Sequence, residues 1–158
     1  MGETRKRYRA EKTINGTWGQ LWIDDEEMVE VTSCEAKSSL AKTEVNQVGT
    51  LSKGYKVTGI DNKGTLKLNK VTSYFIKKLS DSIKAGKTPT FVIQSNLADP
   101  DAIGAERVIL RGVQFDELSL INWEAGKLGE ESYAFTFSDW EIKDVIDHDK
   151  LKDFLDAA

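Results

Sequence analysis

Most of this chain reads as strand, and its sharpest signal is period-two alternation. The clearest run is Tyr133, Phe135 and Phe137, three aromatics at period two. Successive side chains on an extended backbone point to opposite faces, so this period predicts a strand with one buried face. Trp18 to Ile23, aromatic and β-branched, also reads as a strand, as do Phe91 to Gln94, Arg107 to Phe115, Leu118 to Trp123 and the full stretch Tyr133 to Trp140. In Arg107 to Phe115, the residues Ile109, Val113 and Phe115 share a face. Between Met28 and Leu40 the apolar phase moves from Val29 and Val31 to Cys34 and Ala36, which marks a bulge. Asp24-Asp25-Glu26-Glu27 supplies a polar turn. Asp61-Asn62-Lys63-Gly64, between Tyr55–Ile60 and Thr65–Asn69, reads as a hairpin turn. Ala41 to Gly54 is polar and shows no period, so it reads as a long connection without secondary structure.

One helix interrupts the strands. Thr72 or Ser73 is placed to cap it, and Phe75, Ile76, Leu79 and Ile83 fall on one face at helical spacing. Lys77, Lys78, Asp81 and Lys84 occupy the opposite face. Gly86 and Pro89 end it. The expected architecture is mainly β, a β-sandwich or partly open barrel with one flanking α-helix. Asp149 to Ala157, with Leu151, Phe154 and Leu155 apolar, reads as a short helix that needs something to dock on.

A chain of 158 residues, 39% hydrophobic and 30% charged, has the length and apolar content of one domain. The single cysteine, Cys34, excludes an internal disulfide and is compatible with a reducing compartment. No apolar run approaches the roughly 20 residues of a spanning helix. The basic start lacks the apolar stretch of a secretory signal, and Met1-Gly2 lacks a myristoylation context because Lys6 stands where Ser or Thr belongs. A soluble, cytoplasmic protein without a membrane anchor is expected. The net charge of −4 argues against gripping nucleic acid. Arg5-Lys6-Arg7-Tyr8-Arg9, with Lys12, is the exception. It reads as a flexible basic arm over residues 1–13, or as an arm docking on an acidic neighbour.

No constellation of known chemistry emerges. His148 lies among Asp147, Asp149 and Lys150 without a nucleophile motif, and one histidine with one cysteine cannot make a Cys/His metal site. Gly86-Lys87-Thr88 looks like the end of a P-loop, but Asp81 stands where the first glycine belongs and the stretch follows a helix. Asp61-Asn62-Lys63-Gly64 looks like part of a calcium loop, with Gly59 and Lys63 where oxygen ligands are needed. Asn15-Gly16-Thr17 is a glycosylation sequon without a secretory route. The carboxylate pairs Asp24–Glu27, Asp116-Glu117 and Glu130-Glu131 suit solvated turns. Trp18 and Trp22, at i and i+4 on one strand face, suit core or subunit contact better than ligand stacking. No catalytic residue, cofactor or metal is expected.

Three stretches carry a resemblance: Gly16-Thr17-Trp18-Gly19-Gln20-Leu21-Trp22-Ile23-Asp24, then Asp99-Pro100-Asp101-Ala102-Ile103-Gly104-Ala105-Glu106-Arg107-Val108, then Phe135-Thr136-Phe137-Ser138-Asp139-Trp140. In this order and spacing the chain resembles the tail-tube proteins of contractile phages and phage-tail-like bacteriocins, the PBSX-type tubes. The resemblance implies a tail-tube β domain over residues 14–146, between the arm and a C-terminal tail at 147–158. It implies a structural, non-enzymatic protomer in a virion or tailocin particle, assembled in the bacterial host cytoplasm. Six copies would form a ring, and rings would stack inside a sheath into a hollow conduit for DNA or ions. The implied partners are other copies, the sheath protein, baseplate or initiator and terminator proteins, and DNA that passes without specific binding.

On that reading Trp18 and Trp22 anchor the ring interface. Val45, Val48 and Leu51, in a loop from Ala41 to Gly54, contact the next ring. Lys77, Lys78, Asp81 and Lys84 face the sheath. Glu30, Thr32 and Glu35 are candidates for the channel wall, which should be acidic or neutral so that phosphates are not held; Lys56 and Lys67 argue against a uniformly acidic one. A small-ligand-binding β-barrel is the alternative, and it requires a continuous apolar interior. An enzyme on a β-sandwich is a further rival that lacks a nucleophile–base pair.

Overall fold

The computed structural model describes residues 5–157. The Met1-Gly2 start, the first four residues of the arm and Ala158 lie outside the described residues. The strands are β1 (Lys6–Tyr8), β2 (Gly19–Ile23), β3 (Glu26–Glu27), β4 (Val31–Val45), β5 (Gly54–Asn69), β6 (Phe91–Leu97), β7 (Glu106–Phe115), β8 (Glu130–Thr136), β9 (Asp139–Asp144) and β10 (Leu155–Ala157). One α-helix, α1 (Tyr74–Lys84), lies between β5 and β6. The domain is mainly β with one flanking helix. Its strands form open sheets, and two compact units divide the chain at Val29/Glu30, Thr90/Phe91, Gly112/Val113 and Ser138/Asp139.

The first unit holds β1 to β3, β6, most of β7, β9 and β10. Its main sheet runs β3-β2-β6-β7, with β9 also paired to β7. Leu21 and Ile23 of β2 and Phe91 and Ile93 of β6 are buried on alternate positions, and Ile23 stands opposite Ile93. The β2–β3 turn is tighter than its sequence indicated. Asp24 and Asp25 both take positive φ (49° and 66°), the two-residue geometry that matches strand twist, while Glu26 and Glu27 already pair with Ile23 and Trp22. Asp24 is held there from both sides. Its N–H donates to the Val92 carbonyl, and its carboxylate accepts the Val92 N–H, each at 2.9 Å.

The second unit holds β4, β5, α1, the end of β7 and β8, in the sheet order β7-β8-β5-β4. One face of this sheet carries Leu66, Leu68, Tyr133 and Phe135, and α1 covers it with Phe75 and Leu79. Phe75 stacks on Tyr133 at 4.3 Å and meets Phe115 edge-on at 5.1 Å. Each such side chain is worth about 1.5–3 kcal/mol when fully buried, and aromatic pairs add about 0.5–1.5 kcal/mol. The helix therefore seals this face. Ser73 is the cap residue as expected, but its hydroxyl does not cap; its carbonyl accepts the Lys77 N–H at 3.0 Å. Ile83, expected on the buried face, is half exposed at the helix end.

Several sequence expectations are corrected. Asp61-Asn62-Lys63-Gly64 is not a turn: β5 runs straight through it. Gly64 is there because Phe135 occupies the space that its side chain would fill. Residues 41–54 are not structureless either. β4 continues to Val45 and β5 starts at Gly54, so the connection is confined to residues 46–53. Leu118 to Trp123 is no strand. In β7 the buried residues are Leu110 and Val113, not Ile109, because Gly112 at φ 66° shifts the alternation. Trp140 belongs to a separate strand, β9, after Thr136 ends β8. The basic stretch expected as a flexible arm contains β1, which pairs with β10, the end of the tail expected as a helix. The tail itself is a 3-10 turn over His148–Phe154. The expected bulge in β4 is present, between Val31 and Ser33.

Candidate assembly surfaces

β5 pairs with β8 only from Lys63 to Asn69, whereas it pairs with β4 along nearly its whole length. Residues 37–45 and 54–62 therefore form a two-stranded arm that leaves the sheet beyond the end of β8. The register sets its two faces. Leu40 stands opposite Ile60, Lys42 opposite Val57 and Glu44 opposite Tyr55. A second register shift, at Ala41/Lys42, turns Thr58 onto the other face, where its hydroxyl meets that of Thr43 at 3.2 Å. One face is thus largely apolar, with Lys42 and Glu44 the charged residues on it. Leu40, Tyr55, Val57 and Ile60 are 53%, 61%, 44% and 54% exposed, and Val48 and Leu51 at the tip are fully exposed. A lone two-stranded ribbon is marginal in water, and this one also leaves its apolar face uncovered.

The sheet face away from α1 is polar. It carries Glu35, Lys37, Lys63, Thr65, Lys67, Ser132 and Glu130, aligned by the registers of β4, β5 and β8. Glu35 pairs with Lys37 at 2.9 Å along one strand. Of the three residues expected at a channel wall, Glu35 lies on this face. Thr32 is the bulged residue, and its hydroxyl donates to the Lys67 carbonyl at 3.2 Å. Glu30 precedes β4, and its carbonyl accepts the Asn69 N–H at 3.0 Å.

Trp18 and Trp22 do not share a strand. Trp18 closes a 3-10 turn and is half exposed, whereas Trp22 is half-buried within β2, between Glu27 of β3 and Gln94 of β6. An open strand edge lies elsewhere, along β4, which ends the sheet beside β5. Lys77, Lys78, Asp81 and Lys84 are exposed together on α1.

The stretch Asp99–Val108 acts inside the first unit. Asp99 is buried; one carboxylate oxygen accepts the Asn15 N–H at 2.8 Å and the other the Asp101 N–H at 2.9 Å. It thereby ties the start of the Gly16–Asp24 stretch to the loop before β7. Gly104 packs against Ile146, and Trp140 pairs with Leu110 across β7 and β9. In the second unit a buried carboxylate, Glu131, accepts from Lys70 Nζ at 2.6 Å and from the Tyr133 hydroxyl at 3.0 Å. Burial, then the neighbouring Glu131 charge, pushes the Tyr133 hydroxyl well above the usual tyrosine range. These polar groups are spent on holding the fold.

The family described as phage tail tube protein matches residues 6–144 of this sequence. The chain belongs to that family. It is 36% identical over 140 residues to the Phage-like element PBSX protein XkdM of Bacillus subtilis (strain 168), covering 87% of this chain and 95% of that protein. A second B. subtilis relative, the uncharacterized protein YqbM, matches at the same identity and coverage. Among solved structures, the fold is similar to a chain in the extended PVC sheath–tube complex of an extracellular contractile injection system. The TM-score is 0.65 at 13% identity, over 86% of this chain and 95% of that one. A chain of the tube-terminating cap of the anti-feeding prophage superposes with a TM-score of 0.67 at 12% identity, over 84% and 91%. This tail tube protein is a structural protomer. Its family places it with proteins of virions and tailocin particles. Among the described residues no helix is long and apolar enough to cross a membrane.

The arm face was missed in the sequence because Tyr55 and Val57 were separated from Ile60 by the bulge at Thr58, which breaks period two. Leu40 and Ile60 at matched positions in two flanking segments were the available signal.

Proposed function

We propose that this tail tube protein closes into six-fold rings that stack, through the arm, into a rigid hollow tube, and that it catalyses no reaction. The observation that carries the reading is the arm: a two-stranded ribbon with an uncovered apolar face, leaving the sheet at its far end. A stable free subunit has no use for it, whereas a stacked neighbour covers it. Val45, Val48 and Leu51 at its end then meet the next ring, as do Leu40, Tyr55, Val57 and Ile60 along its face. The open edge of β4 supplies the ring contact by pairing backbone groups between copies, which removes the edge. Trp18 and Trp22, in the first unit, supply side-chain contacts between copies in the ring.

The polar sheet face lines the bore. Lys37, Lys63 and Lys67 there are matched by Glu35, Asp61 and Glu130, so the wall is close to neutral and does not hold phosphates. Glu30 and Thr32 border it. The conduit passes DNA in a phage or ions in a tailocin. Lys77, Lys78, Asp81 and Lys84 face the sheath, since a helix that covers a sheet turns its charged side outward. Baseplate, initiator and terminator proteins bound the stack, which assembles in the host cytoplasm. Electron microscopy of the purified protein tests this: six-fold rings or tubes support it, and a protein that stays monomeric even with tube seeds overturns it.

A further inference from the structure

The second unit carries a second uncovered apolar segment, the connection between β7 and β8. Leu120, Ile121, Trp123 and Leu128 are 66%, 82%, 82% and 96% exposed. Local contacts fix where this segment lies. The Asp116 N–H donates to the Ala134 carbonyl at 2.9 Å, Asn122 donates to the Glu130 carbonyl at 3.3 Å, and Lys70 donates its N–H to the Gly129 carbonyl at 2.8 Å. The chain thus runs back along β8 to its first residue, beside Asn69 at the end of β5. The arm leaves from the other end of the same strands, where Lys63 stands opposite Thr136. From Asn62 to Gly54 it extends about 30 Å further, at about 3.3 Å per residue.

The two apolar features therefore sit at opposite ends of one sheet and cannot cover each other within a subunit. Their charges are complementary. Residues 37–63 hold five lysines against two carboxylates, and residues 116–130 hold four carboxylates against one lysine. Resting on the stacking reading above, we propose that the arm of one copy seats on the Leu120–Leu128 segment of a second copy. Tip residues Val48 and Leu51 cover Ile121 and Trp123, while Lys53 and Lys56 face Glu117 and Glu124. Opposite-end surfaces make a heterologous contact, which closes into a ring or repeats as an open stack according to its rotation; made between rings, it builds a stack. The apolar anchors hold it, and the charges steer and select the pairing, so assembly weakens with salt.

A chain carrying Cys34→Ser, Gln47→Cys and Ala125→Cys tests the contact, because both new thiols lie beside the anchors without replacing them. A short bismaleimide applied to tubes of this variant should give a ladder of covalently joined chains on a denaturing gel. The Gln47→Cys chain alone should give no joined species. Tubes without a ladder, or dimers from Gln47→Cys alone, overturn the proposal while leaving stacking intact. If the unsubstituted chain forms rings that never stack, stacking and this contact fall together. Charge reversal supplies a second readout. Glu117→Lys with Glu124→Lys should abolish stacking, and adding Lys53→Glu with Lys56→Glu should restore it. A failure to restore in a folded ring also overturns the pairing.

Discussion

Gly64 of β5 stands directly opposite Phe135 of β8, and the phenyl ring fills the place of the missing side chain. A methyl at Gly64 would lie 2.6 Å from Phe135 Cε2 and 2.5 Å from the Glu35 carbonyl oxygen. Gly64→Ala should therefore cost about 1–3 kcal/mol or more, through overpacking at the junction of three strands. Gly59→Ala is the matched comparison, since its added methyl meets Ala41 at an ordinary 3.8 Å. Denaturant unfolding of both variants should show a large loss for the first and a change within about 0.5 kcal/mol for the second.

Asp99 holds two backbone N–H groups on its two oxygens. Asp99→Ala leaves both donors without that acceptor and should cost about 2–3 kcal/mol. Asp101→Ala removes only an exposed ion pair at 3.9 Å from Lys12, and should cost less than about 1 kcal/mol. Equal losses in thermal unfolding would refute the fastening role.

Lys70→Met should cost about 1–3 kcal/mol, because Glu131 stays buried without its cation while solvent reaches part of the site. The same cluster sets an alkaline limit. The Tyr133 hydroxyl has a raised pKa in the folded protein, so above the ordinary value of 10.0 the unfolded chain loses this proton first. The folded state then binds more protons than the unfolded one, and stability falls as pH rises. Its contribution is complete below pH 10.0 and is lost progressively above it. In Tyr133→Phe the stability profile above pH 10 should flatten; an unchanged slope would count against the assignment.

Replacing residues 43–52 by a short Gly-Ser linker should leave the subunit folded, since none of them belongs to the core. Circular dichroism should be near native while electron microscopy finds no stacked tubes. Tubes of normal length and stability would refute the role of the arm.

Lys77→Glu with Lys84→Glu should spare tube assembly and weaken co-sedimentation with the sheath, because exposed charges tune recognition more than stability. Loss of the tubes themselves would show that this helix face belongs to a tube contact.

The sequence determined what local chemistry determines. Tyr133, Phe135 and Phe137 announced their strand face by period two, Phe75 and Leu79 their helix face by spacing, and the phase change after Val31 announced a bulge. The family was legible as well, in three stretches whose side chains fasten the fold: Asp99 to Asn15, Trp140 at β9, and Phe135 over Gly64. Tertiary structure decided the rest. A glycine within a polar run reads as a turn until Phe135 is known to lie against it, and no local signal carries that contact. The arm depends on where β8 stops pairing with β5, a property of two distant segments at once. Leu120, Ile121 and Trp123 look like strand residues because apolar side chains ordinarily have a core to enter. In this subunit they remain exposed, because the apolar face of the sheet is already covered by Phe75 and Leu79 of α1, a contact between distant segments that only the tertiary structure sets.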